Sequence, residues 1–436
     1  MSCFRFMLPT CPSLPRRDNW RPFNLSWMEL QRRKRLRRTS KDAQLSNYTD
    51  RYLTGVVVMG IDLIAVAEQC QQALERQENI GIVVGFDGAV DRIMEVVDKR
   101  TEHRAYKRIP TIADFAARID QASGLSTNIE LITKTVKLGG CAANMSQALL
   151  NLGAQVSFVG TVGEGQIHRL FADLARQCSR VIPLAEPSTA QALEFDDGKI
   201  IMAELEPMWD VTWDKIVTQL PVDEQLELLE NAKVIAMVNW TETPYMNGIW
   251  QGLLQHVFPK LSRSTQRLIF FDLADPQKRQ EEDMVSALKL IEAFSAFGDV
   301  VLSLNRKEAT EIATALGLKL NYELGEAPLC EITQALADNL AIHGVVVHPV
   351  SSAGMVYGDE YVEVPGPFTP QPRLTTGAGD NFNAGLVYGL ARGLSPKQAL
   401  ILGVATSGFY VRNMYSPDVA ELRSFLQKWA EGMLEA

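Results

Sequence analysis

Residues 375–385 read TTGAGDNFNAG, and this stretch is the strongest single signal in the chain. Gly377 and Gly379 let the backbone turn closely and point successive N–H groups at one spot. A helix predicted over residues 386–391 aims the positive end of its dipole at the same spot. The stretch, with Ala378 between the two glycines, therefore predicts a cradle for an anion.

Asp380 stands at the start of that predicted helix, in its first turn. A carboxylate there can reach a hydroxyl held beside a transferred phosphoryl group and accept its proton. A plain turn followed by an aspartate at a helix start would use the same residues. Other motifs must therefore decide between a catalytic base and a structural aspartate.

A second glycine motif is found at residues 138–153, which read LGGCAANMSQALLNLG. The paired glycines Gly139 and Gly140 permit close approach by a ligand. Asn144, one turn into the predicted helix, offers both a donor and an acceptor to vicinal hydroxyls. The alternative, equally weighted on these residues alone, is a helix that packs closely on a sheet.

Residues 303–308 read SLNRKE and lie where a predicted strand becomes a helix. Asn305 and Glu308, three residues apart, project from one side of the first helical turn. Both suit a hydrated Mg²⁺ ion, which takes one or two protein oxygens plus substrate phosphates, so Glu308 would hold the metal through water. A capping Asn with a Glu at the third position is the alternative, and these residues alone favour it.

The first predicted core strand ends in residues 85–91, which read GFDGAVD. Asp87 and Asp91 are candidate acceptors for sugar hydroxyls. The turn that carries them would face the same crevice as the other motifs, and Asp91 is the preferred candidate.

Short β-rich runs alternate with helical patterns from about residue 80 onward. Near-continuous apolar strands that alternate with helices indicate a mostly parallel sheet covered on both faces. Ligands bind such sheets at the carboxyl ends of the strands. The predicted strands are residues 80–86, 155–160, 233–238, 268–272, 300–304 and 344–348; the predicted helices are residues 142–152, 165–178, 223–232, 284–297, 306–316 and 331–343.

Residues 189–206 break this rhythm, because two alternating runs flank Asp197-Gly198 as in a β-hairpin. Together with residues 91–136 they could supply a small second sheet that covers the sheet edge as a lid. The alternative is an ordinary surface hairpin.

The composition suits a globular protein of the cytoplasm. The chain has 436 residues, of which 46% are apolar, and its six cysteines include no Cys-x-x-Cys pair. The five histidines show no ligand spacing against them, so structural zinc is not expected. The longest apolar stretch, residues 55–67, is interrupted by Asp62 and is too short to span a membrane.

The first 42 residues carry 11 Lys and Arg against 3 acids, whereas residues 43–436 carry 32 basic and 49 acidic side chains. Three accounts of this basic, proline-containing segment compete: a targeting peptide, an arm for nucleic acid or a membrane surface, and a leader read from too early a start. The third is favoured, because an amphipathic helix pattern begins at Met59. We therefore divide the chain into a disordered leader, residues 1–58, and a domain, residues 59–436.

The motifs together resemble the PfkB/ribokinase family of carbohydrate kinases over about residues 80–412. The resemblance implies a ribokinase-like α/β fold, with a mostly parallel central sheet, helices on both faces and a small β lid. It implies that Asp380 acts as the base and that Gly377, Ala378 and Gly379 form the anion hole. Asn305 and Glu308 would organise magnesium and phosphate, while Asp91, Gly139, Gly140 and Asn144 would bind the sugar.

The implied activity is transfer of the γ-phosphate of ATP, with Mg²⁺, to a sugar hydroxyl. The expected partners are a sugar and a nucleotide, with no nucleic acid and no membrane. Leu374 stands where the family commonly has an acid that helps form a monovalent-cation site, so the pattern gives no ground to expect potassium activation. The long stretch of residues 99–136 could contact a larger acceptor or the second subunit of a homodimer.

Three other functions remain open on the sequence. An ADP-dependent sugar kinase is compatible with the acids of residues 271–275, and a nucleoside kinase would use the same scaffold. A sugar-binding regulator without turnover is disfavoured by the intact Asp380. A phosphorylated sugar would require basic side chains in the lid crevice, and those of residues 99–108 are read as a solvated face instead: Lys99, Arg100, Arg104, Lys107 and Arg108.

Overall fold

The predicted core strands assemble into one nine-stranded sheet in the computed structural model. The strands are numbered along the chain, with their bounds given at the end of this paragraph, and their spatial order in the sheet is β14, β13, β12, β11, β10, β9, β1, β5 and β6. The seven strands from β12 to β6 run parallel, and β13 and β14 add antiparallel strands at one edge. The bounds are β1 (Gly81–Phe86), β5 (Gln155–Gly160), β6 (Arg180–Pro183), β9 (Val234–Met237), β10 (Leu268–Asp272), β11 (Asp299–Leu304), β12 (Gly344–Val347), β13 (Ser352–Tyr357) and β14 (Glu360–Pro365).

The structure describes residues 63–75, 79–263, 265–320 and 327–434. All of them belong to one compact unit, Ile61–Ala436. The leader of residues 1–58 and the start proposed at Met59 lie outside the described residues.

Helices cover both faces of the main sheet, because alternate strand residues point to opposite sides. Ile82 and Val84 of β1 pack into one apolar core, while Val83 between them packs into the other. The first core also contains side chains from the helices of residues 63–75, 141–151, 378–391, 396–413 and 419–430. The second core contains side chains from the six helices that the structure describes between residues 213 and 339. The mostly parallel α/β fold predicted from the sequence is confirmed.

The helices of the described residues are α1 (Leu63–Glu75), α2 (Ile112–Asp120), α3 (Cys141–Asn151), α4 (Ala172–Gln177), α5 (Trp213–Gln219), α6 (Val222–Glu230), α7 (Met246–His256), α8 (Glu281–Phe294), α9 (Arg306–Ala315), α10 (Leu329–Asn339), α11 (Ala378–Ala391), α12 (Pro396–Asn413) and α13 (Val419–Ala430). The helix predicted over residues 165–178 is wrong in its first half. Gly163 and Gly165 take positive φ, 135° and 75°, and the helical path begins only after His168, whose ring accepts the N–H of Leu170.

A second sheet leaves the main sheet directly after β1. It is built from β2 (Ala89–Arg100), β3 (Tyr106–Arg108), β4 (Leu131–Gly139), β7 (Ser188–Phe195) and β8 (Gly198–Glu204). Strand β2 pairs with β7 in parallel and with β3 and β4 antiparallel. The second sheet therefore begins at the end of β1 and returns through β4 to the start of α3.

The turn chemistry of Asp197-Gly198 does produce a hairpin. Strands β7 and β8 pair antiparallel up to Phe195 and Gly198. A separate apolar core, which includes Met94, Val96 and Phe115, lies between this sheet and α2. Among the described residues, no helix is both long and apolar enough to cross a membrane.

Helices α11 and α12 cross closely at Gly385, and this contact yields a prediction. A Cβ at this position would lie 2.5 Å from the carbonyl oxygen of Leu402 and from Oγ1 of Thr406. We expect Gly385→Ala to destabilise the protein by about 1–3 kcal/mol through overpacking, although alanine is the better helix former. Urea unfolding measures this loss.

Gly248 in α7 provides the matched control. No atom of the described residues outside its own stretch of helix lies within 4 Å of a Cβ placed there. Gly248→Ala should therefore raise stability by up to about 1 kcal/mol. If Gly385→Ala stabilised the protein to the same extent, the close helix contact would be refuted.

Candidate active site

The motifs converge on a crevice at the carboxyl ends of the parallel strands. Asp87 follows β1, Asn239 follows β9, Asp272 ends β10 and Asn305 follows β11, and these four strands are neighbours in the sheet. Because parallel strands end at one edge, residues distant in sequence are brought together there. The N-termini of α3 and α11 lie at the same crevice, since Asn144 of α3 contacts α11.

Gly377 is the N-cap of α11 and adopts a left-handed conformation with φ 91°. A Cβ there would lie 2.8 Å from the hydroxyl oxygen of Tyr410 and 3.3 Å from Nδ2 of Asn144. Only glycine satisfies both the backbone angle and the space. The Tyr410 hydroxyl donates to the carbonyl of Thr376 at 2.7 Å and so fixes the turn.

The first turn of α11 presents free backbone donors. The N–H of Ala378 donates to the carbonyl of Thr375 at 3.1 Å and closes the turn. Within the described part of the chain, the N–H groups of Gly377, Gly379 and Asp380 have no protein acceptor. Unpaired N–H groups at a helix start, with the helix dipole behind them, suit an anion.

Asp380 lies partly exposed in this turn and accepts a hydrogen bond at Oδ2 from Nδ2 of Asn144, at 2.9 Å. Burial raises the pKa of Asp380 from 3.8 to about 7, the nearby charges of Asp87 and Asp91 raise it further, and the bond from Asn144 opposes them. A carboxylate with a pKa near 7 has the properties of a general base at neutral pH.

Asp87 is buried, with 3% of its surface exposed, and is fully engaged. Its oxygens accept the N–H groups of Cys141 at 2.8 Å and Ala142 at 2.7 Å, and Nδ2 of Asn239 at 2.7 Å. Burial raises the pKa of Asp87 to about 6, although these three bonds favour the charged form. Asp87 therefore holds α3 and β9 in place.

Asp91 has a different environment on β2. Its carboxylate lies against Gly139, where a Cβ would approach within 2.3 Å of the Asp91 carboxyl carbon. Among the described residues it accepts no hydrogen bond from a side chain, and burial raises its pKa while the charge of Lys137 lowers it. Asp91 thus keeps free acceptors in the crevice, which supports its choice over Asp87 as the candidate sugar ligand.

Asn305 and Glu308 form a complete capping box on α9. Asn305 Oδ1 accepts the N–H of Glu308 at 3.0 Å, and Glu308 Oε2 accepts the N–H of Asn305 at 2.8 Å. Glu308 Oε1 accepts the N–H of Asp275 at 3.0 Å. The structure therefore contains the capping box. In the prediction from the sequence this capping box was the alternative to metal binding.

The acidic groups beside this box nevertheless fit a hydrated cation. Burial, followed by the charges of Glu308 and Asp380, raises the pKa of Asp272 well above its ordinary value. The described residues contain no cluster of three His, Cys, Asp or Glu side chains arranged for a metal. Mg²⁺ needs only one or two carboxylates when phosphates and waters complete its shell, so Asp272 and Glu308 fit that mode.

Several residues of this crevice were not predicted from the sequence. Asn239 takes a left-handed φ of 58° and joins Asp87 to Glu242, and Asn383 donates to Asp272 at 2.6 Å. The position of Asn239 after a predicted strand could have indicated its role. Nothing in the local pattern marks Lys137 or Lys199, which reach the crevice from the second sheet.

The basic side chains within residues 99–108 point to solvent, which agrees with the solvated face favoured from the sequence. Arg100 pairs with Glu130, Lys107 with Asp98 and Arg108 with Asp196. Lys99 and Arg104 are exposed.

Comparison with solved structures identifies the fold. Ribokinase from Thermotoga maritima aligns with a TM-score of 0.55 over 80% of this chain and 100% of its own, at 17% identity. Ribokinase from Arabidopsis thaliana, solved with ribose and ATP, aligns with a TM-score of 0.55 over 80% and 99% of the two chains, also at 17% identity. The class is therefore that of proteins with the ribokinase fold.

The sequence comparisons give the particular family. The sequence model of the prokaryotic ketohexokinase family matches residues 62–429. A ketohexokinase from Haloferax volcanii is 28% identical over 365 residues, which are 83% of this chain and 95% of the relative. The chain belongs to the prokaryotic ketohexokinase family, which confirms the resemblance to PfkB/ribokinase carbohydrate kinases. It is thus a sugar kinase, a phosphotransferase acting on a sugar hydroxyl, and its family implies ATP as co-substrate, usually with Mg²⁺.

The stability of the Asp380→Asn variant, relative to that of the wild type, is expected to increase as the pH rises. Because the folded pKa of Asp380 is about 7 instead of 3.8, its contribution to stability is fully present below pH about 4 and is lost as the pH rises through about 7. Asparagine has no such loss. The melting temperature of the variant minus that of the wild type should grow from pH 5 to pH 8, equivalent to on the order of 1 kcal/mol.

Asp214→Asn is the control, because Asp214 is exposed in the first turn of α5. Its melting-temperature difference from the wild type, measured over the same pH range, is the baseline for this change in an exposed first turn. If the difference for Asp380→Asn does not grow beyond that baseline, the raised pKa of Asp380 is contradicted.

Proposed function

We propose that the chain transfers the γ-phosphate of ATP to a hydroxyl of a ketohexose, with Asp380 as the general base. The observation that carries the proposal is the position of the Asp380 carboxylate, in the first turn of α11 beside unpaired N–H groups and bonded to Asn144 at 2.9 Å. The acceptor class is inferred from the Haloferax volcanii ketohexokinase and from the matching family.

Two residues of the crevice are proposed to bind and orient the sugar. Asp91, with free acceptors, would bind sugar hydroxyls. Gly139 and Gly140 would support the site by close packing, because a Cβ at Gly139 would clash with the Asp91 carboxylate and a Cβ at Gly140 with the Gly88 backbone. Asn144 donates to Asp380 through Nδ2 and so orients the base, while its Oδ1 can accept from a sugar hydroxyl. In this proposed arrangement the acceptor hydroxyl would lie next to the carboxylate that takes its proton.

The cradle would bind the transferred phosphoryl group. Of the predicted anion hole, Gly377 and Gly379 would donate their free N–H groups to the phosphoryl oxygens, together with the N–H of Asp380, whereas the N–H of Ala378 is used to close the turn. Such preorganised donors stabilise the transition state. Asp272 and Glu308 are the residues proposed to hold hydrated magnesium, with Asn305 fixing the orientation of Glu308 through the capping box. When bound, Mg²⁺ neutralises charge on the nucleotide phosphates.

A substrate panel tests the proposal. Fructose, other ketohexoses, aldohexoses, ribose, sugar phosphates and nucleosides are each incubated with ATP or with ADP, and nucleotide turnover is measured. We expect the highest kcat/KM for a ketohexose with ATP. Asp380→Asn should lower kcat by on the order of 10² to 10⁴-fold, the usual contribution of a general base, while the Kd for the sugar changes only a few-fold.

The control for this loss is again Asp214→Asn, which makes the same change in the first turn of another helix. It should leave kcat unchanged. Normal turnover by Asp380→Asn would refute the proposed base, and preference for ADP or for a nucleoside would replace the proposed donor or acceptor.

The pH profile tests the base independently. At saturating ATP and Mg²⁺, kcat/KM for the sugar should fall about tenfold per pH unit below pH about 7 and level off above it, because the carboxylate must be unprotonated to accept the proton. A flat profile between pH 5.5 and 8 would show that the raised pKa of Asp380 does not limit catalysis.

A further inference from the structure

Two lysine ammonium groups of the second sheet lie beside the cradle. Lys199 of β8 donates through Nζ to Oγ1 of Thr375 at 3.0 Å and also to Oγ1 of Thr376. Lys137 of β4 donates through Nζ to the hydroxyl oxygen of Tyr410 at 3.2 Å. That hydroxyl in turn donates to the carbonyl of Thr376. Lys199 thus contacts the two residues that immediately precede Gly377, and Lys137 is linked to Thr376 through the hydroxyl of Tyr410.

Neither ammonium group is neutralised by an ion pair among the described residues. Their hydrogen-bond partners are hydroxyl oxygens, and both side chains are partly buried. Burial lowers the pKa of Lys137 and Lys199, and the carboxylates of Glu194 and Asp91 oppose both shifts. The charge of Asp380 also opposes the shift of Lys137, whereas the charge of Lys137 lowers the pKa of Lys199 further. Among the described residues these carboxylates form no ion pair with either lysine, so an anion bound between the two ammonium groups would stabilise both charges.

We propose that Lys137 and Lys199 are further catalytic residues that donate to the oxygens of the transferred phosphoryl group. This inference rests on the proposed function. In the step concerned, the sugar oxygen forms a bond to the γ-phosphorus as the bond from that phosphorus to the β,γ-bridging oxygen breaks. The hydroxyl proton passes to Asp380, ADP leaves with the bridging oxygen, and both lysines stay protonated throughout.

The positions of the two lysines favour the phosphoryl group over the sugar as their ligand. Each is linked to Thr376, the residue before the cradle, and a neutral sugar hydroxyl would give two ammonium groups no charge to compensate. The transferred phosphoryl group spreads negative charge over three oxygens, so its charge is what two cations there can stabilise. The second sheet would then supply Asp91 for the acceptor and two positive charges for the group it receives.

Lys199→Met and Lys137→Met test the inference, with the best sugar of the substrate panel. Methionine keeps the length of the side chain and removes its charge. We expect kcat to fall about 10²- to 10³-fold in each variant, the range seen when one transition-state donor is removed. The Kd for the sugar should stay within a few-fold. Lys199→Arg, which keeps the charge, should recover part of the loss.

Lys107→Met is the matched control, because Lys107 lies on the same sheet but is 71% exposed and pairs with Asp98. It should leave kcat unchanged. The melting temperature of each variant reports whether it folds. If Lys137→Met does not fold, Lys199→Met and Lys199→Arg together test the inference.

A second measurement does not require turnover. Aluminium fluoride bound with ADP and Mg²⁺ mimics the transferred phosphoryl group, and calorimetry should show at least tenfold weaker binding of this mimic to Lys199→Met, with ADP affinity unchanged. If the wild type phosphorylates nothing in the panel, the proposed function fails, and this binding measurement still judges the lysines. Unchanged kcat and unchanged mimic binding, or a rise confined to KM for the sugar, would overturn the inference.

Discussion

The buried carboxylate of Asp87 holds together the point where the two sheets meet. The chain leaves the main sheet just after Asp87 and returns from the second sheet into α3, whose first N–H groups this carboxylate accepts at 2.8 and 2.7 Å. The same oxygens accept the amide of Asn239 after β9. The positive end of the α3 dipole compensates the buried charge. The placement of Asn144, and through it of Asp380, follows from this one anchor.

Charge in the crevice is divided between the two sheets. The main sheet contributes acids at its strand ends, of which burial raises the pKa in each case: Asp87, Asp272 and Glu308. The second sheet contributes Asp91 and the two lysines, Lys137 and Lys199, whose pKa burial lowers. Burial makes the charged form of each group less stable here than it is in water. Titratable groups with such shifted pKa values cluster at functional sites.

Much of the fold could be read from the sequence, because its strands are short apolar runs with clear helical patterns between them. The cores of β1 and β10 are the clearest examples, since all but one of their residues are buried. The edge strands β13 and β14 were not predicted, because antiparallel edge strands lack that continuous apolar run. The helix over residues 165–178 failed because two glycines with positive φ delay its start.

The sequence by itself determined which residues can form the cradle and which carboxylate follows it, because a left-handed Gly377 and an acid in the first helical turn are local requirements. It also determined the capping box of Asn305 and Glu308, which is local as well. Only the tertiary structure decided that Asp87 is an anchor while Asp91 stays free, and that Lys137 and Lys199 face the crevice. Those roles depend on which strand ends and which sheet faces lie next to each other. The local sequence around a residue does not show which distant residues will pack against it.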